Sequence, residues 1–385
     1  MKKLTAVDLF SGAGGLSIGI ERAGFEVVLA NEIEKDFAKT YSLNHSKTKM
    51  LNCDIHTVDF SYELSTLGIK IEEIDLLCGG PPCQGFSTVG SKNKKDPRNS
   101  LFYEFIRATI EIEPKYILFE NVSGFKKMYD GVAYKTILKE LEDLGYSAIS
   151  SVLEASDYGL PQNRQRTIIL GWRKDCIPMS FPEITHFQET NLFGGIKKLC
   201  LMDAISDLPP LTFNDENHSY FLPPQNNYQK ILRGNESILT EHNSSDYGDK
   251  MKEILQLVPE GGTVNDLPEH LRPKNYFNNT YSRLFPYQPS PTITRNFGTP
   301  SSSRCIHPFQ PRALSTREGA RLQGFPDSYK FYGSKTSKNL QIGNAVPPIF
   351  GEVIAKEIVN KIFFNAKTKI IDTQATSVSH FVRVS

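Results

Sequence analysis

The first 170 residues alternate short β-branched runs with segments of helical period, and this alternation is the feature that most constrains the fold. It predicts strands over Leu4–Phe10, Glu26–Ala30, Ile74–Cys78, Lys115–Glu120 and Thr167–Gly171, and helices over Gly14–Ala23, Ser100–Ile112 and Val132–Leu144. Strands separated by helices are typical of a doubly wound α/β fold with a parallel sheet. Such a sheet binds its ligands at the carboxyl ends of its strands.

The composition narrows the class of protein. With 39% hydrophobic and 23% charged residues, the 385-residue chain is predicted to be globular and long enough for two domains. It has no run of about 18 apolar residues, and Asp8 interrupts the apolar stretch after the N-terminal lysines, so we expect neither a membrane span nor a secretory signal. Its six cysteines include no C-x-x-C pair, which disfavours a disulfide framework and a zinc ribbon. We therefore expect reduced thiols, no metal and a cytoplasmic location.

A change of texture near Trp172 predicts a second, smaller domain, because Pro, Asn and short polar loops replace the regular periods. The predicted division is a main domain over 1–188 plus 338–366, the second domain over 189–310, a hinge over 311–337 and a flexible tail over 367–385. The net charge is only +1, yet residues 281–341 carry nine Lys and Arg against two Asp and Glu. This basic segment is either a polyanion-binding surface or a solvated face whose arginines are paired elsewhere.

A glycine-rich turn after the first strand predicts a ligand of the nucleoside type. Between Ser11 and Gly15 the backbone carries few side chains where a strand meets a helix, so a ligand can approach closely. Ser17 stands in place of the third glycine of the dinucleotide fingerprint, and no phosphate-binding G-K-[ST] follows. Glu32 ends the second strand, where an acidic side chain typically accepts hydrogen bonds from ribose hydroxyls. This placement favours a nucleoside ligand without a diphosphate, such as S-adenosylmethionine. Asp54 either accepts an adenine amino group or caps a loop.

Two glycines and two prolines precede one cysteine, in the run Gly79-Gly80-Pro81-Pro82-Cys83. Proline fixes φ, so the thiol is aimed rigidly at the carboxyl end of a strand, where a nucleophile belongs. Cys78 lies inside the apolar strand and is predicted to be part of the core. The lysine-rich segment over 88–100 either closes over a bound polyanion or is a solvated loop.

Charged residues end two further strands. The carboxyl of Glu120 is expected to face the same crevice as Cys83 and could act as a general acid. In Gln162-Asn163-Arg164-Gln165-Arg166, alternation puts Arg164 and Arg166 on one face. Two guanidinium groups can hold a carboxylate together with a phosphate or carbonyl oxygen. The sequence therefore predicts a nucleophile, an acid and two cations at one edge of the sheet.

Taken in order, these segments resemble the motifs of the DNA cytosine-5 methyltransferases. The matching segments are DLFSGAGG at 8–15, NE at 31–32, CDI at 53–55, GGPPCQGFS at 79–87, ENV at 120–122, QNRQR at 162–166, REGARLQGFPD at 317–327 and GNAVPP at 343–348. The resemblance runs from residue 4 to about residue 360, interrupted only by the variable region that this family uses for target recognition. Cys53 stands where many members have glycine.

The resemblance implies a role for each matching residue. Cys83 resembles the nucleophile that attacks C6 of a flipped cytosine, and Glu120 resembles the acid that contacts N3 and the exocyclic amine. Arg166 resembles the residue that supports the base and Glu120, and Arg164 lies on the same motif. The implied residues for binding S-adenosylmethionine are Phe10, Gly12, Gly14, Gly15, Glu32, Ile33, Asp54, Ile55, Asn344 and Ala345. The implied DNA-binding residues are Gln84, Ser87, Arg98, Arg283, Thr292, Ile293, Arg295 and Arg304.

The function implied is sequence-specific methylation of cytosine C5 in double-stranded DNA, by a monomer in the bacterial cytoplasm that is paired with a restriction endonuclease. A transfer RNA methyltransferase of the same family is an alternative, but the long region over about 190–300 favours DNA, because reading a base sequence needs extra surface in a groove. A catalytically silent DNA-binding regulator is disfavoured by the intact Cys83, Glu120 and arginines. A nicotinamide oxidoreductase is disfavoured by the missing third glycine.

Overall fold

A computed structural model describes residues 3–82, 101–189, 195–302 and 304–363 of the chain. Its main strands are β1 Leu4–Leu9, β2 Phe25–Asn31, β3 Lys49–Leu51, β4 Leu76–Gly79, β5 Tyr116–Val122, β6 Tyr146–Glu154 and β7 Gln165–Arg173. These strands form one sheet in the order β3-β2-β1-β4-β5-β7-β6. All five predicted strands are present, and the α/β fold class is confirmed. β6 was not among the predicted strands.

The direction of β7 differs from the prediction. β1 to β5 run parallel to one another, whereas β7 is antiparallel to both β5 and β6. The expectation of a wholly parallel sheet is therefore wrong for this strand. The connection from β6 to β7 is short and contains only one helical turn, Ala155–Tyr158. A parallel crossover needs a dozen or more residues, usually with a helix, so this connection suits an antiparallel pair.

Helices cover both faces of the sheet: α1 Gly15–Arg22, α2 Lys35–Asn44, α3 Phe60–Thr66, α4 Leu101–Ile112, α5 Val132–Asp143 and a helix over 348–363. Adjacent residues of β4 enter different cores, as the two-residue period of a strand requires. Leu77 belongs to the buried cluster of Phe105, whereas Cys78 is fully buried in the cluster of Leu16. Among the described helices, none is long and apolar enough to cross a membrane.

The remaining helices are α6 Leu201–Ile205, α7 Asn227–Arg233, α8 Asp249–Leu257, α9 Thr316–Leu322 and α10 Lys335–Asn344, and a short parallel pair is formed by β8 His186–Phe187 and β9 Ile196–Lys197. A buried cluster that includes Ile254 and Ile306 lies within the predicted second domain. Another cluster contains Leu201 together with Ile342 and Ile18, so this core continues into α1. The predicted domain boundaries remain predictions.

Candidate active site

The carboxyl ends of four strands lie level at one edge of the sheet. Leu9 of β1 pairs with Asn31 of β2 and with Gly79 of β4, and Gly79 in turn pairs with Phe119 of β5. Because these strands are parallel, the residues after Leu9, Asn31 and Gly79 leave the sheet at the level where β5 continues through residues 120–122. The crevice at this edge is where open α/β sheets bind their ligands.

An ion pair between β5 and β7 lies at this edge. The Nε atom of Arg166 is 2.8 Å from Oε1 of Glu120, and both side chains are largely buried, with 14% and 11% exposed. Arg166 pairs with Val122 in the antiparallel register. Glu120 lies two residues before Val122, so it is on the same face of the sheet as Arg166 and is its diagonal neighbour. The register therefore determines the contact, and the carboxylate is held by an ion pair with the guanidinium.

The chain that leaves β4 is fixed against Glu120. Nδ2 of Asn121 donates a hydrogen bond of 2.9 Å to the carbonyl of Pro81. A Cβ atom at Gly80 would lie 2.8 Å from Oε2 of Glu120, so only glycine leaves the carboxylate in place. The sequence does not reveal this role of Asn121, because the hydrogen-bond partner of an amide at the end of a strand depends on the fold. Cys83, which follows Pro82, lies outside the described residues, as do Gln84, Ser87 and Arg98.

Glu32 and Gly12 form a second part of the site. The Glu32 carboxylate accepts backbone hydrogen bonds from Gly12 (2.9 Å) and Glu34 (2.8 Å), one on each oxygen. Burial raises the pKa of Glu32 above its ordinary value, and these two hydrogen bonds offset only part of that rise. Phe10 and Gly12 have positive φ values of 56° and 58°, and no atom lies within 4 Å of a Cβ built at Gly12. A backbone open on that side, beside a carboxylate with acceptor capacity to spare, fits a ribose.

The other implied cofactor positions differ in exposure. The Asp54 side chain is 52% exposed, and its Oδ1 accepts from the backbone and from Nδ1 of His56, at 3.1 and 2.7 Å. These bonds lower the pKa of Asp54, with the His56 side chain as the largest cause. Ile33 is 60% exposed, whereas Ile55 is buried in the core. His56 had no signal in the sequence, since its contact depends on a local turn.

Asn344 is exposed and Ala345 is half-buried, at the end of α10. Gly14 and Gly15, by contrast, are closely packed against protein. A Cβ at Gly14 would lie 2.6 Å from Nε2 of His45, and one at Gly15 would lie 2.4 Å from the carbonyl of Val346. These two glycines let α1 approach its neighbours, which is a packing role; of the three glycines predicted for cofactor binding, Gly12 has the open face.

Arg164 occupies a different environment from Arg166. Its side chain is fully buried, and its guanidinium donates to the carbonyls of Ile293, Gly343 and Ala345. Burial, followed by the positive charge of Arg166, lowers the pKa of Arg164. Thus Arg166 forms an ion pair with Glu120, whereas the hydrogen bonds of the Arg164 guanidinium within the described ranges go to backbone carbonyls.

The implied DNA-binding residues of the second region separate into two groups. Arg295 and Arg304 are exposed, and Thr292 is half-buried with its hydroxyl donating to the carbonyl of Asn163. Ile293 is buried. Arg283 is also buried, and its guanidinium donates to four carbonyls, those of Leu255, Val258, His307 and Gln310. The geometry of Arg283 is that of an internal brace, which argues against the expectation that it contacts DNA.

The fold and the site together define a class of protein: an α/β enzyme with an open glycine turn bound to Glu32 and a largely buried Glu120–Arg166 ion pair, both at the carboxyl ends of its parallel strands. The model of the C-5 cytosine-specific DNA methylase family matches residues 4–360. The chain belongs to this family and is a DNA (cytosine-5-)-methyltransferase. Members of this family use S-adenosylmethionine as methyl donor. Within the described ranges, no group of His, Cys, Asp and Glu is arranged to hold a metal ion.

Several known proteins are similar over most of their length. The type II methyltransferase M1.HphI of Haemophilus parahaemolyticus is 36% identical over 92% of this chain and 87% of its own. The type II methyltransferase M.DdeI of Desulfomicrobium norvegicum is 34% identical over 92% and 88%. A crystal structure of a candidate DNA modification methyltransferase from an Escherichia coli prophage is 28% identical, covers 93% of this chain and 99% of that chain, and has a TM-score of 0.75.

Proposed function

We propose that this chain methylates C5 of a cytosine within a specific sequence of double-stranded DNA, with Cys83 as nucleophile, Glu120 as acid and S-adenosylmethionine as donor. The observation that supports the proposal is the contact between the chain leaving β4 and the acid. Gly80 touches Glu120, and Pro81 is bound by Asn121. Two residues after Pro81, Cys83 would share the crevice with the Glu120–Arg166 pair.

The chemistry requires these residue types. C5 of cytosine is a weak nucleophile, and a bond from the Cys83 thiolate to C6 breaks the aromaticity and gives C5 enamine character. Glu120 holds a proton at N3, which offsets the charge that builds there, and Arg166 keeps its carboxyl in place. After C5 has gained the methyl group, the C5 proton passes to solvent, and the electron pair that it leaves forms the C5–C6 double bond and expels the Cys83 thiolate. The proton at N3 returns to Glu120. The ring and the thiolate are then regenerated.

The donor pocket is proposed at Gly12, Glu32 and Asp54. Glu32 would accept hydrogen bonds from the ribose hydroxyls, and Asp54 would accept one from the adenine amino group. The exposed Ile33 would contact the purine face. When bound, S-adenosylmethionine supplies an electrophilic methyl group on a sulfonium. Asn344 and Ala345 would border the same pocket, at the end of α10.

The DNA-binding part of the proposal concerns base flipping and recognition. A stacked base cannot present C6 to a thiol within a crevice, so the cytosine must leave the helix. We assign sequence recognition to residues 189–310, with the exposed Arg295 and Arg304 as candidate DNA contacts. The relatives M1.HphI and M.DdeI are type II methyltransferases, which supports a functional pairing of this chain with a restriction endonuclease. We expect the methyltransferase itself to act as a monomer.

Transfer of a labelled methyl group from S-adenosylmethionine to DNA, with RNA as the second substrate, tests this function. Label in DNA alone is expected; label in RNA alone would establish a transfer RNA methyltransferase instead. Cys83→Ala should abolish transfer while retaining binding of both ligands. The matched control is Cys78→Ala. Cys78 lies on β4, and its thiol is buried in the protein core and donates to the carbonyl of Val7.

A covalent trap gives a second readout for Cys83. DNA containing 5-fluorocytosine cannot lose the group at C5, so the adduct should persist in the parent chain and in Cys78→Ala. A trapped adduct in Cys83→Ala would refute the assignment of the nucleophile.

A further inference from the structure

The chain just before β7 is joined to residues 290–295, which we call the 290s segment. The backbone amide of Ser290 donates to the carbonyl of Pro161 at 2.9 Å. The amide of Ile293 donates to the side-chain oxygen of Gln162, also at 2.9 Å. Both contacts involve the backbone of the 290s segment, so they fix its path rather than one of its side chains. The segment thus lies directly against the residues that lead into β7.

Arg164 extends this junction to a third part of the chain. Its Nη1 donates to the carbonyl of Ile293 at 3.0 Å, and its Nη2 donates to the carbonyls of Gly343 and Ala345 at 3.0 and 2.8 Å. A Cβ at Gly343 would lie 2.4 Å from the backbone nitrogen of Arg295, so the end of α10 and the 290s segment also touch each other. One guanidinium therefore binds both backbones at the place where they meet.

This arrangement is costly for stability alone. Arg164 has no exposed surface, no carboxylate hydrogen-bonded to its guanidinium among the described residues, and an Nε without a hydrogen-bond partner there. Burying a charge lowers stability, and replacing buried ions by apolar residues of similar volume is often neutral or stabilising. A fully buried arginine that forms no such pair is thus better explained by the geometry that it imposes than by the stability that it adds.

The geometry links recognition to chemistry. Arg164 stands two residues before Arg166, which forms an ion pair with Glu120. Any displacement of the 290s segment or of residues 343–345 relative to Arg164 would change their position relative to this acid. The planar guanidinium donates in fixed directions, which a lysine ammonium cannot reproduce.

We propose that Arg164 is a positioning residue for specificity: it fixes the 290s segment and the end of α10 on the strand that carries Arg166, so that correct DNA contacts align the cytosine with Glu120. This role rests on the proposed DNA methylation. Without the guanidinium, the cytosine should be poorly aligned with Glu120 on the recognised sequence as well as on altered sequences. The rate on the recognised sequence should therefore fall more than the rate on altered sequences.

The test compares Arg164→Met, Arg164→Lys and Arg317→Met with the parent chain. Arg317 is the matched control, because it is also fully buried and donates to backbone carbonyls, those of Thr240 and Pro326, but it contacts neither the 290s segment nor β7 through any of its described hydrogen bonds. The recognised sequence is first identified by bisulfite sequencing of DNA from cells that express the parent. Single-turnover methylation rates are then measured at saturating enzyme and donor, on that duplex and on duplexes with one base pair changed.

Arg164→Met should lower the rate on the recognised duplex at least about tenfold and lower the ratio of recognised to altered rates, with Arg164→Lys between Met and the parent. Arg317→Met should lower the melting temperature and keep the parental ratio. A parental ratio in soluble Arg164→Met would overturn the proposal; if that variant does not fold, a parental rate and ratio in Arg164→Lys would overturn it. An equal loss of ratio in Arg317→Met would also overturn it. No transfer to DNA by the parent chain would instead refute the proposed function itself.

Discussion

The carboxylate of Glu120 occupies the space that a side chain at residue 80 would need. A Cβ at Gly80 would approach Oε2 of Glu120 to 2.8 Å, while Arg166 holds Oε1 of the same carboxylate at 2.8 Å. The acid therefore lies between a guanidinium and a bare backbone. Its position depends on both neighbours, although neither is itself an acid or a nucleophile.

Gly80→Ala should reduce activity far more than stability. The added methyl group meets the end of a side chain, which can move at little cost to the fold, within about 1 kcal/mol. The displaced carboxyl, however, would no longer meet the base, and an error of about 1 Å can cost on the order of 10²-fold in rate. Turnover and thermal melting are measured together, with Gly124→Ala as control, because the nearest atom to a Cβ there is 3.9 Å away. Parental turnover in Gly80→Ala would show that the position of Glu120 is not critical.

Glu120→Gln should lower kcat by on the order of 10²–10⁴, the usual loss when a positioned general acid is removed. The amide keeps the shape and can still contact the exocyclic amine, but it cannot give a proton to N3. The affinity for S-adenosylmethionine should stay near the parental value, which a direct binding measurement checks. Glu142→Gln, an exposed glutamate of α5, is the control and should retain parental kcat. A Glu120→Gln enzyme with undiminished kcat would exclude the proposed proton at N3.

A second acid, Asp8, is expected to make the free energy of unfolding depend on pH. Asp8 is buried on β1, its Oδ2 accepts from the Ser17 hydroxyl at 2.6 Å, and its Oδ1 has no partner in the described part of the chain. Burial, as the largest cause, raises the pKa of Asp8 to about 7. An unfolded Asp loses its proton near pH 3.9, so between about pH 4 and 7 the folded state holds a proton that the unfolded state has released. The Asp8 contribution to stability is therefore lost as the pH rises through this window.

Asp8→Asn should remove this dependence, since an amide does not titrate. The free energy of unfolding, from urea denaturation at several pH values between 5 and 8, should fall with pH in the parent relative to Asp8→Asn, by up to about 1.4 kcal/mol per pH unit below pH 7. Asp54→Asn serves as control, because the pKa of the exposed Asp54 is lowered and its titration lies below this range. Parallel pH profiles for the parent and Asp8→Asn would contradict a protonated Asp8.

The periodicity of the sequence predicts the strands that are buried on both faces, such as β1 and β5, because they are continuous apolar runs. The periodicity does not predict β6, because its sequence, YSAISSVLE, is rich in serine and because β6 is the outermost strand of the sheet, with no partner on one side among the described strands. The direction of β7 could not be predicted either. A period of two residues identifies a strand but contains no information about which neighbour it pairs with.

Motif order predicts which residues meet at the edge of the sheet, as Glu120 and Arg166 do. It does not predict how a buried arginine is used. Arg164 and Arg166 lie two residues apart on one motif, yet one binds backbone carbonyls and the other a carboxylate, because their neighbours come from distant parts of the chain. The same limit applies to Arg283, where a count of charges gave no information on burial.

The arginines of the basic segment should therefore separate by experiment into two kinds. Arg295→Gln and Arg304→Gln change exposed side chains, so each should weaken DNA binding and, where a phosphate contact is lost, reduce the slope of log affinity against log salt by about 0.9. Their melting temperatures should remain parental. Arg283→Gln instead leaves buried carbonyls such as those of Val258 and His307 without their donor, and each unpaired group costs about 1–3 kcal/mol of stability. Its salt slope should stay parental for the fraction that folds. DNA binding measured over a range of salt concentrations, together with thermal melting, distinguishes the two kinds; a reduced salt slope with a parental melting temperature in Arg283→Gln would show that this arginine reaches the DNA after all.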